Sequence, residues 1–141
     1  MDPLSTLGAV AACTELAKLI ARVATNIASL KRQWSESDQS LQLLTLKLST
    51  IRGALTQIKD WSDFSASSSP NGEELRENLG VALEGCQVIV EALDRDIAGL
   101  LGNTVASRLR QLFRDTAIRE HEGRLDSQIT AFQLLISAAY W

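Results

Sequence analysis

Apolar residues recur in alternating steps of three and four along most of this chain, and each such run draws one stripe down one side of a helix. The first run is Cys13, Leu16, Ile20, Val23, Ile27 and Leu30. It predicts a helix opening at Asp2-Pro3, because aspartate is a good N-cap and proline at the first helical position loses only an unpaired donor. Lys31 and Arg32 close it, where cations oppose the negative end of the helix dipole. Glu15, Lys18 and Arg22 supply ion pairs on its polar side. Between Pro3 and Thr14 no residue is charged. A helix with such an end can either pack it or release it.

Ser35-Glu36-Ser37-Asp38 reads as a polar connector. The second helix carries Leu41, Leu44, Leu48, Ile51, Leu55 and Ile58, and Leu43 and Leu46 are expected to widen that stripe. Ser65 to Gly72 reads as a loop. Asn71 and Glu74 form a capping box for the third helix, whose stripe is Leu75, Leu79, Leu83, Cys86, Val90, Leu93, Ile97 and Leu100. Gly99 and Gly102 bracket its end. A short helix over Val105 to Phe113 is expected, then a break and cap at Asp115-Thr116. The last helix carries Ile118, Leu125, Ile129, Phe132 and Ile136, with Leu135 and Ala139 beside them. The expected fold is all-α: an antiparallel bundle of four long helices plus one short helix, one domain over residues 1–141. In the resting bundle the first helix is expected to lie against the second, third and last.

Composition agrees. The 141 residues are 45% apolar but hold few aromatics and only two prolines, so helix formers outnumber strand formers. The net charge of −3 leaves no concentrated basic face, so no nucleic-acid partner is expected. Cys13 and Cys86 fall on apolar stripes, where free cysteines act as small hydrophobes, and two cysteines make no disulfide framework. A reducing cytosol is expected. No basic segment precedes the first apolar run, so no secretory signal is read. That run is also about half of the ~20 residues a bilayer span needs.

Candidate chemistry is sparse, and neither enzymatic activity nor a cofactor is expected. His121 stands between Glu120 and Glu122, but adjacent helical residues point apart, so it reads as a surface or boundary histidine. The cysteines are far apart and no Glu-x-x-His motif exists, so no metal is expected. Glu77, Glu84, Glu91 and Asp94 read as a solvated acidic face, with a partner-docking surface as the alternative. Trp34 and Trp61 flank the second helix, where such rings cover bundle ends; the same rings would suit a membrane interface. Trp141 is the last residue, and a longer polypeptide is expected beyond it.

Three stretches carry a resemblance. Met1-Asp2-Pro3-Leu4-Ser5 opens a helix of small apolar residues, and the leucine-rich middle of helix 2 runs from Leu41 to Leu55. The C-terminal part runs Leu109-Arg110-Gln111-Leu112-Phe113, then Asp115-Thr116, then Arg124 to Ile136. Together they resemble the N-terminal domains of fungal STAND receptors, intracellular NACHT or NB-ARC NTPases, and among these the HeLo-like type. That type is similar to the four-helix bundle of the mixed-lineage-kinase-like pseudokinase and to plant RPW-type domains.

The resemblance implies a cell-death or incompatibility effector, oligomerised by a C-terminal receptor NTPase module, that gives its first helix to a membrane. It implies a cytoplasmic protein that moves to the plasma membrane on activation. The expected lipid contacts are Leu4, Leu7, Val10 and Leu16, with Lys18, Arg22, Lys31 and Arg32 meeting anionic headgroups. The expected partners are further copies of the chain, anionic lipids and the receptor module. The rival expectation is a passive adaptor bundle that docks proteins and leaves membranes alone.

Overall fold

The computed structural model describes residues 6–33, 39–64, 72–101 and 107–139, and all of them are helical. The helices are α1 (Thr6–Gln33), α2 (Gln39–Phe64), α3 (Gly72–Leu101) and α4 (Ser107–Ala139). The described residues are therefore all-α, with four helices and no strand among them.

The fifth, short helix is not separate. The chain stays helical through Asp115-Thr116, so the segment expected over 105–113 belongs largely to α4. An aspartate and a threonine are tolerated inside a helix at up to about 0.7 kcal/mol each relative to alanine. That is too little to break 33 residues. The polar connector at 35–38, the loop at 65–71, Trp34 and Trp141 lie outside the described residues.

One shared core joins the four helices. Every stripe residue from Cys13 to Leu30, from Leu41 to Ile58 and from Leu75 to Leu100 is buried in it. From α4 come Ile118, Leu125 and Phe132, while Ile129, Leu135, Ile136 and Ala139 pack against its edge. Burying one such aliphatic side chain contributes roughly 1.5–3 kcal/mol of transfer free energy.

Each helix has two principal neighbours. α1 lies on α2 and α3, and α4 lies on the same two, whereas α1 meets α4 only marginally, as α2 does α3. The expected packing of the first helix on the last is thus corrected. The chain passes from α2 to the diagonally opposite α3, so α1 and α4 occupy opposite corners.

Leu43 and Leu46 do not widen the buried stripe of α2. They are 45% and 57% exposed. Each sits two residues from a buried leucine, about 200° around the helix, and so faces outward. Trp61 is part of α2 and is 2% exposed, with its indole N–H buried and without a hydrogen-bond partner among the described residues.

Candidate functional site

α1 carries the residues expected to meet lipid, and the structure separates them. Leu4 lies outside the described residues, as does the Leu7 side chain, although the Leu7 backbone is helical. Val10 is half-buried, and its carbonyl accepts a 2.9 Å hydrogen bond from Thr14 Oγ1. Leu16 is 2% exposed and belongs to the core. Lys18, two residues on, points outward and pairs with Glu15 at 3.4 Å.

Arg22 reaches Asp94 of α3 at 2.8 Å, so α1 is tied to α3 by a bond at the surface as well as by its stripe. Exposed pairs of this kind contribute about 0–1 kcal/mol. Lys31 is half-buried, and exposed Arg32 donates to Ser29 Oγ at 3.2 Å. In this conformation the cations Lys18, Arg22 and Arg32 are available to a surface, and Leu16 is not. No helix among the described residues is long and apolar enough to cross a membrane.

A groove of about 340 Å³ opens between α1 and α2. Cys13, Ala17 and Ala21 line it from α1, and Leu55 from α2. The small side chains of Cys13, Ala17 and Ala21 leave the space. Lys18, Arg52 and Lys59 stand around it, and neither Arg52 nor Lys59 has a carboxylate partner among the described residues. The result is a small-residue trough edged with positive charge on a chain whose net charge is negative.

The trough also shows the state of the thiols. Burial pushes Cys13 up to about 11, against a smaller opposing effect of the Lys59 charge, and pushes Cys86 up to about 12. The neutral thiol is favoured because the thiolate would lose its hydration. Both values lie above the ordinary 9.0. Each thiol thus contributes stability that is complete below pH 9 and declines as pH rises through the folded values. At pH 8 the folded chain is expected to resist alkylation, with both thiols reacting once it is unfolded in urea. A mass-spectrometric time course checks this.

His121, expected at the surface or the boundary, is 3% exposed and meets a partly exposed partner. Its Nε2 lies 2.6 Å from Asp96 Oδ2 of α3, while its Nδ1 is buried and unpaired among the described residues. The step from Ile118 to His121 to Leu125 has the core spacing, so the stripe itself marked the position. Asp96 is partly exposed, and the pair bridges α3 to α4. Lys47 of α2 likewise reaches Asp126 of α4 at 2.8 Å.

No protein family, curated protein or solved structure matches this chain.

Proposed function

We propose that this chain is the N-terminal signalling or execution domain of a fungal STAND-type receptor, of the HeLo-like kind, and has no catalytic activity. It forms an antiparallel bundle that is cytoplasmic at rest. A receptor NTPase module clusters it, and α1 then exchanges its place in the bundle for the plasma membrane. The direction of the helices is supported by paired positions. Cys13 of α1 lies by Lys59 of α2, and Asp96 of α3 lies by His121 of α4.

The observation that carries the membrane step is the division within α1. An uncharged N-terminal part leads into a helix with cations on its outer side and a continuous apolar stripe on its inner side. Such a helix suits the plane of a membrane interface better than a span. Each cation near an anionic surface contributes about 1 kcal/mol, enough to bring the domain to the surface and too little to open it. Clustering raises the local concentration, so that several α1 helices arrive together.

Vesicle leakage tests the reading. The full chain fused to an inducible dimeriser is expected to release dye from vesicles rich in acidic lipid only after dimerisation. Lys18→Glu with Arg32→Glu should lower surface binding at least about tenfold, since about 1 kcal/mol per cation is removed and then reversed. Leu7→Glu should abolish release. Dye retained by the dimerised chain would refute the membrane step.

The second reading, a passive adaptor, is favoured by one observation. The inner stripe of α1 from Cys13 to Leu30 is as deeply buried as those of α2 and α3. An adaptor keeps α1 packed, and its fluorescent fusion stays diffuse in cells that continue to grow.

A further inference from the structure

α3 carries two stripes. The inner one fills the core, and the outer one runs Glu77, Val81, Glu84, Val88 and Glu91 in steps of four and three. Val81 is 71% exposed and Val88 65%, while the three glutamates are exposed beside them. Arg95 ends the acidic run. Valine has lower helix propensity than alanine, so nothing in helix formation favours it at a solvated position. Two exposed valines set between exposed carboxylates give this outer ridge an apolar centre with charged edges, a surface open to a partner of opposite charge.

The α1/α2 groove has the complementary profile. Its α2 edge runs Arg52, Thr56, Lys59, again in steps of four and three, with Lys18 across from it. Arg52 and Lys59 are seven residues apart, as are Glu84 and Glu91, and seven helical residues rise about 10.5 Å. The two cations and the two carboxylates therefore match in spacing. Val88 stands between the acids, where it would meet the trough lined by Ala17, Ala21 and Leu55.

We propose that the outer ridge of α3 docks into the α1/α2 groove of a second copy of this chain. The ridge and the groove are different surfaces, so the contact is heterologous, and each copy keeps one free face to recruit the next. Head-to-tail growth of this sort yields rings or filaments rather than closed dimers. In its role this inference deepens the proposed function, naming the contact through which clustered domains associate. Its geometry is independent of any membrane.

Sedimentation of the full chain without lipid tests it. The average mass should rise with protein concentration up to about 1 mM and fall with added salt, because the contact is charge-matched. The pair Arg52→Glu with Lys59→Glu, or the pair Glu84→Lys with Glu91→Lys, should weaken association at least about tenfold by turning attraction into repulsion. All four positions are on the surface or at its edge, and far-UV circular dichroism confirms that each variant is folded.

The decisive sample mixes the two. The groove-reversed copy has an acidic groove and an acidic ridge, and the ridge-reversed copy a basic groove and a basic ridge, so neither component should associate alone while the mixture should regain association through alternating copies. A wild-type chain that stays monomeric throughout overturns the interface, as do reversed variants that associate like wild type. Monomers whose groove binds acidic vesicles, with binding lost in the Arg52→Glu, Lys59→Glu pair, would assign the groove to lipid and overturn it too. Forced-dimer leakage is unaffected by these outcomes, so the interface and the membrane reading fail separately.

Discussion

Ile20→Ala is expected to lower the unfolding free energy by about 2–5 kcal/mol, whereas Lys18→Ala, two residues away, should change it by less than about 0.5 kcal/mol. Ile20 is fully buried and Lys18 points outward. Urea melts of the two variants check the contrast. The consequence reaches function. Six α1 residues lie in the core, and their combined transfer free energy is roughly 9–18 kcal/mol, an upper estimate because unfolded chains already bury some surface. A domain's whole stability is about 5–15 kcal/mol. α1 therefore cannot leave for water and look for lipid afterwards. In the proposed exchange its stripe must pass from the core directly to another apolar environment, with release coupled to arrival.

The second large effect belongs to Trp61. Trp61→Ala should cost about 3–5 kcal/mol, because the ring is 2% exposed at the end of α2, beside Leu79 of α3 and Leu135 and Ile136 of α4. Trp61→Phe should cost far less than truncation and stay within about 1.5 kcal/mol of the parent. It keeps an aromatic ring while removing an indole N–H that has no partner among the described residues. Thermal or urea melts separate the two. A Phe variant as unstable as the Ala variant would mean that the N–H is bonded after all.

The core was legible in the sequence because three-four spacing leaves a helix only one side to bury. Cys13 to Leu30, Leu41 to Ile58 and Leu75 to Leu100 all went inward as their spacing predicts. Position outweighs residue type where the two conflict. Leu43 and Leu46 are apolar but off the stripe, and stay outside. His121 is polar but occupies a stripe position, so it goes inside and recruits Asp96. The acidic face of α3 divides similarly. Asp94 turns toward Arg22 of α1, whereas Glu77, Glu84 and Glu91 stay outward with Val81 and Val88. The groove was not legible, since it depends on which helices become neighbours.

Lys18, Arg22 and Arg32 on one side of α1 and Leu16 on the other express the same constraint. In the proposed exchange the charges, which are at the surface, act in the packed bundle, and the buried stripe acts only when the bundle opens. Spin labels at Thr25→Cys on α1 and Arg95→Cys on α3 report that opening directly. Both positions are exposed, and the two native thiols are buried and so escape labelling. In solution the pair should give one short distance, because α1 and α3 are packed neighbours. Clustered by a dimeriser beside acidic vesicles, the labels should separate into a longer population. A short distance that persists in the clustered, vesicle-bound chain would contradict the exchange of α1 from bundle to lipid.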